Sequence, residues 1–182
     1  MFWHGYCAGC AVRSKNNIVK QSTGVPSYIC GMKLEEAIKS SRFTDSAHKA
    51  AVNLMYTSYW LKTHVNAVLK DNGLTIEQFN VLRILKGKHP EQMCVKDIGS
   101  RMIEKSSNVP RIIDRLLIKK FVKRTTSRED KRETLISLTD DGLKQVESSN
   151  ILVDAMQKRI SGLDDREATL LSELLEKMRT TD

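Results

Sequence analysis

The sequence predicts a mainly α-helical protein carrying one small β-hairpin, and three observations lead there. After residue 45, apolar residues recur at intervals of three and four, the spacing of a buried helical face. Phe121–Thr125 and Thr134–Leu138 have the composition of short strands, and the polar Ser127–Arg132 between them reads as a hairpin tip. No run of apolar residues exceeds three, which excludes a transmembrane helix and the roughly 7–15-residue apolar stretch of a secretory signal. A cytoplasmic protein with no membrane partner is therefore expected. The chain has 182 residues, 40% hydrophobic and 29% charged, enough for one cored domain with an appendage.

Residues 1–31 stand apart, with four glycines, one proline, no acidic residue and no period of either kind. They are expected to form a disordered or loosely attached extension, with Met32, which opens MKLEEA, as the working start. From Ser46 to about Asp71, Ala47, Ala50, Ala51, Leu54, Met55, Leu61, Val65, Val68 and Leu69 keep helical spacing, and Asn72–Gly73 is a stop. Thr75 caps a shorter helix with Ile76, Phe79, Leu82 and Leu85 inward, closed by Gly87 and Pro90. Residues 95–103 make a third helix with Val95, Ile98, Met102 and Ile103 inward, and a fourth covers about 107–120. Beyond the hairpin, Thr139 caps a helix that runs to about Ile160, with Asp140 and Asp141 in its first turn where the helix dipole favours acids. Gly162 breaks it. Asp164 or Asp165 starts the last helix, whose Ala168, Leu171, Leu174, Leu175 and Met178 form one stripe.

The charge is concentrated in one place. Residues 101–132 carry 11 basic and 4 acidic side chains, whereas residues 133–182 carry 6 and 11. Within that basic segment the helix at 107–120 buries Val109, Ile112, Ile113, Leu116 and Leu117, and its other face carries Asn108, Arg111 and Arg115. Arg pairs bidentately with guanine and Asn with adenine, so this face has the groups that read base edges; solvated surface arginines are the plainer alternative. Ser106 and Ser107 offer helix caps and hydroxyls for a phosphate. Pro110 fits only in the first turn, which puts the N-cap at Ser107 or Asn108. Two helices and a short turn followed by a basic hairpin make a winged helix-turn-helix. The wing tip Arg128-Glu129-Asp130-Lys131-Arg132 concentrates phosphate donors, and Asp130 is placed to orient the Arg132 guanidinium or to serve as a simple turn residue.

The run R-I-I-D-R-L from Arg111, followed by R-E-D-K-R-E-T-L-I-S-L-T-D-D-G from Arg128, resembles the MarR (multiple antibiotic resistance regulator) family of transcription factors. The family's D-x-R wing signature stands here as Asp130-Lys131-Arg132, and its L-T-x-x-G as Leu138-Thr139 and Gly142. The resemblance covers Met32–Asp182. It implies a homodimer on a pseudo-palindromic double-stranded DNA operator, a repressor used in stress responses, with DNA contacts from Ser106, Ser107, Asn108, Arg111 and Arg115 and from the wing. Pro110 stands where many members have Ser or Thr. Residues 32–72 and 141–182 are then dimerisation helices and 73–140 the DNA-binding unit. A dimer also has a physical motive, because the stripes on helices 46–71, 143–160 and 165–178 are too apolar for water, and a twofold axis spaces two recognition helices about 34 Å apart.

The resemblance further implies release by a small phenolic or lipophilic effector in a cleft beside the long first helix, where Tyr56, Tyr59, Trp60 and His64 lie; an ordinary core cluster is the alternative. Cys94 precedes the third helix, whose N-terminus favours a thiolate, so a thiol-based redox sensor is a second reading. His4, Cys7, Cys10 and Cys30 number four potential zinc ligands, but the long Cys10–Cys30 gap and the lack of a second C-x-x-C argue against them, and no metal or cofactor is expected. None of the phosphate-loop, dinucleotide, nucleophile-elbow or zinc-protease motifs occurs, which speaks against an enzyme. A winged-helix module docking RNA or protein is the remaining competitor.

Overall fold

The computed structural model describes residues 32–105, 108–127 and 129–180; the 1–31 extension lies outside them. Among the described residues the order is α1 (Leu34–Ala37), α2 (Ser46–Asp71), α3 (Ile76–Lys86), β1 (Met93–Cys94), α4 (Val95–Arg101), α5 (Val109–Ile118), β2 (Val122–Thr126), β3 (Thr134–Leu138), α6 (Asp140–Ser161) and α7 (Asp165–Arg179). The fold is mainly helical with a small wing sheet, as the sequence predicts. From α2 onwards its helix starts follow from side-chain caps. Asp45 accepts the His48 N–H at 2.7 Å, and Thr75 with Gln78 and Asp164 with Glu167 form reciprocal capping boxes.

Two helices end in the same Schellman geometry with different residues. After α2, the Gly73 N–H donates to Lys70 O and the Leu74 N–H to Leu69 O, with Gly73 at φ 67°. After α5, the Lys120 N–H donates to Leu117 O and the Phe121 N–H to Leu116 O, with Lys120 at φ 61°. A Cβ in the left-handed region clashes with its own backbone, so Lys120→Gly is expected to stabilise the fold by about 1 kcal/mol. A higher thermal unfolding midpoint checks this, and a lower one contradicts it.

The sheet has three antiparallel strands in the order β1-β3-β2, with Met93 opposite Ile136 and Val122 opposite Leu138. The hairpin is as expected, with β2 one residue later than the predicted Phe121–Thr125. The extra strand β1 is two residues long, too short for any alternation to register. The predicted helix 95–103 stops at Arg101. Met102 is extended (ψ 138°) and still buried, but Ile103 is 81% exposed, correcting its assignment to the core. The predicted 107–120 helix contracts to Val109–Ile118, because Asn108 caps it and Lys120 turns it off.

The core is built by Leu69, Leu82, Leu85, Ile98, Met102, Ile113, Leu116, Ile136 and Val146. It unites α3, α4, α5 and the sheet with the end of α2 and the start of α6. Long stretches are left outside it. α7 buries no residue, and α2 buries only Leu69.

Candidate nucleic-acid interface

Helix α5 is amphipathic by necessity. Val109, Ile113 and Leu116 are buried, while Arg111, Asp114 and Arg115 are exposed on the opposite face. Asn108 Oδ1 accepts the Arg111 N–H at 3.2 Å, so its carbonyl holds the helix N-terminus. The amide expected to read adenine thus serves as the helix cap, with one of the two lone pairs of its oxygen taken by the Arg111 N–H. Pro110 sits in the first turn, where its missing N–H has no intrahelical partner to lose. Ser106 and Ser107, expected as caps and phosphate donors, lie outside the described residues, as does Arg128.

The wing is locked by two side chains. The buried Ser127 Oγ accepts the Glu129 and Asp130 N–H groups, both at 3.3 Å, and Asp130 Oδ1 accepts the Arg132 N–H at 2.9 Å. The Ser127 N–H donates to Glu133 O (3.0 Å) and the Glu133 N–H to Asp130 O (2.9 Å), closing the turn. The expectation that Asp130 orients the Arg132 guanidinium is thus corrected: its carboxylate shapes the backbone of the turn. Sequence reasoning missed Ser127, although a Ser opening a polar tip is the signal for this local capping. Lys131 and Arg132 are exposed on the turn that these contacts fix. At the wing's base, Arg124 Nη2 donates to Asp114 Oδ1 at 2.7 Å, tying β2 to α5.

Behind this face a cleft of about 260 Å³ opens among α2, α3, α6 and the segment after α4, walled by Leu61, Val65, Phe79, Met102, Ile103 and Val153. Lys62 pairs with Glu104 at its rim, and the Arg83 guanidinium lies 5.7 Å over the Phe79 ring. The structure does not bring Tyr56, Tyr59, Trp60 or His64 into its walls. Tyr59 is 72% exposed, and the Trp60 and His64 rings meet at 4.5 Å with their planes tilted by 53°, the His64 Nδ1–H donating to Trp60 O. The i,i+4 spacing of Trp60 and His64 makes them partners of each other along one helix face.

Cys94 is half-buried and caps α4, its Sγ accepting the Asp97 N–H at 3.4 Å. That N–H draws the thiol pKa down, but burial and the Asp97 and Glu133 carboxylates outweigh it, and the net shift is upward. Less thiolate at neutral pH speaks against the redox reading of Cys94. Alkylation of the Cys94 peptide at pH 7.5, followed by mass spectrometry, is expected to run slower than that of free cysteine; a faster reaction would restore the redox reading. No cluster of three or more metal-binding side chains occurs among the described residues, and the His4, Cys7, Cys10 and Cys30 set lies outside them. None of the described helices is long and apolar enough to cross a membrane.

A helix with an open cationic face, set beside a basic hairpin on a helical base, defines a winged helix-turn-helix protein of the DNA-reading class. Comparison with known proteins narrows this. The model of the transcriptional regulator SarA/Rot family matches residues 63–149. The chain is 32% identical over 109 residues to the HTH-type transcriptional regulator YkoM of Bacillus subtilis, a match spanning 59% of this chain and 70% of YkoM. It resembles the crystal structure of a MarR transcription factor from Planctomyces limnophilus at 30% identity and a TM-score of 0.58, covering 77% of this chain and all (100%) of that one. The Staphylococcus aureus MepR–DNA complex is similar at 26% identity and a TM-score of 0.64, covering 76% and 98% of the two chains. The chain belongs to the MarR family of winged-helix transcriptional regulators. Its work is regulation of transcription rather than catalysis.

Proposed function

We propose that this regulator is a homodimeric repressor that binds a pseudo-palindromic operator and is released by a small apolar ligand. The observation that carries the reading is the set of apolar side chains left in water: Met55 on α2, Ile151 on α6, and Leu170, Leu171 and Leu174 on α7 are 46–69% exposed. Large apolar side chains exposed on three helices in this way mark an association surface. A second copy covers it with the same helices and presents two α5 faces to one side of a duplex. In this reading 32–72 and 141–182 pair the subunits and 73–140 reads DNA. Arg111 and Arg115 meet base edges, while Lys131, Arg132, Arg128 and the Ser106–Ser107 hydroxyls meet the backbone. Asn108 and Asp130 act by holding the helix start and the wing turn. A phenolic or lipophilic effector fits the cleft between α2 and α3, walled by Val65, Phe79 and Met102, better than the Tyr56–His64 cluster.

Sedimentation of the wild-type chain and of Leu171→Glu/Leu174→Glu tests this. The wild type is expected to run as a dimer that binds operator two copies per duplex. The variant is expected to run as a monomer and lose roughly 100-fold or more in operator affinity, since two linked half-site contacts become one. A wild-type monomer that binds one copy per duplex contradicts the proposal.

A further inference from the structure

We propose that Asp114 is a positioning residue: it holds Arg124 away from the DNA phosphates and thereby sets the wing at one angle to the recognition helix. The inference rests on the operator-reading function proposed above. Asp114 is the only acidic residue of α5, placed between Arg111 and Arg115 on the face that would meet a polyanion. A carboxylate there repels phosphate, so its position calls for a different partner. That partner is Arg124 on β2, at 2.7 Å, with both side chains about half exposed (59% and 46%). Arg124 sits opposite Ile136 in the hairpin, whose side chain is fully buried, so the pair joins the recognition helix to the rigid base of the wing. Among the described residues, no carboxylate ion pair engages Arg111, Arg115, Lys123, Lys131 or Arg132, which leaves those cations open to DNA. A cation already neutralised by a carboxylate releases no counterion from the duplex, whereas each phosphate contact adds about 0.9 to the slope of log affinity against log salt.

The test is the salt dependence of binding by the full chain, on its selected operator and on a random duplex, for wild type, Arg124→Gln, Asp114→Asn and the double variant. Both side chains lie at the surface, and thermal unfolding confirms that each variant is folded. Arg124→Gln is expected to leave the slope unchanged and to lower the preference for operator over random duplex several-fold. Asp114→Asn is expected to steepen the slope by about 0.9 for each bound subunit on both duplexes, because the freed guanidinium reaches a phosphate. The double variant then returns to the wild-type slope. A slope flattened by about 0.9 for each bound subunit in Arg124→Gln alone would make Arg124 a phosphate contact and overturn the proposal. Equal steepening by Asp114→Asn with and without Arg124 would overturn it too, since the acid would then act only through its field. The slopes are readable on any duplex, so they decide this proposal even where the operator reading fails.

Discussion

Gly142→Ala is expected to destabilise the protein by roughly 3 kcal/mol or more, against the usual sign for such a change in a helix. Gly142 is the third residue of α6, and alanine within a helix is ordinarily favoured over glycine by about 1 kcal/mol. Here an added Cβ would lie 1.9 Å from the Phe121 carbonyl oxygen and 2.8 Å from its carbon. That carbonyl is not free to move. It accepts the Thr139 N–H at 3.1 Å, while the Phe121 N–H closes the end of α5 on Leu116 O. Thr139 adds two further ties, its Oγ1 donating to Lys120 O at 2.7 Å and accepting the Gly142 N–H at 3.0 Å. The start of α6 is thus clamped onto the junction of α5 and β2, the point where the proposed pairing helices meet the DNA-reading unit. Urea unfolding reads the effect as a lower midpoint at unchanged slope. An unchanged or raised midpoint would mean that the junction is loose.

Arg111→Ala and Arg115→Ala should each weaken operator binding by about 1–3 kcal/mol, with relaxed specificity at the base pair each side chain reads. The prediction follows from α5 itself. Its buried face fixes the helix rotation through Val109, Ile113 and Leu116, and the Asn108 cap fixes where the helix begins. The two arginines, four residues apart, are therefore held on one exposed edge. Binding titrations against operators substituted one base pair at a time separate two roles. A loss confined to particular positions marks base reading. A uniform loss with a shallower salt slope marks phosphate contact and would correct the assignment.

Much of this architecture was legible in the residues. The caps at Thr75, Thr139 and Asp164, the stops at Gly73 and Gly162, and the apolar period of α5 are local signals, and each element they bound lies within a residue or two of expectation. Features that depend on meetings across the chain were not legible. The apolar spacing runs on to Ile103, yet Met102 reaches the core from extended backbone and Ile103 stays exposed. Asn108 was read by the chemistry of its amide, although its position made it a cap first. Gly142 was visible as part of a motif, but the carbonyl that forbids a side chain there belongs to Phe121, 21 residues earlier. The Asp114–Arg124 pair and the cleft walls come from elements whose approach no spacing encodes. The aromatic residues of α2 show the reverse case, since the i,i+4 spacing of Trp60 and His64 already encodes the one ring contact found between them.

The most direct measurement is selection of bound duplexes from a random DNA pool at near-physiological salt, using the Met32–Asp182 chain and the full chain side by side. The account predicts enrichment of a pseudo-palindrome whose half-sites lie one helical turn apart, about 10 base pairs centre to centre. Tight binding at low salt with no enriched sequence would contradict it. The basic face would then be a generic polyanion or acidic-protein surface, and RNA or protein docking would become the better account of this winged helix.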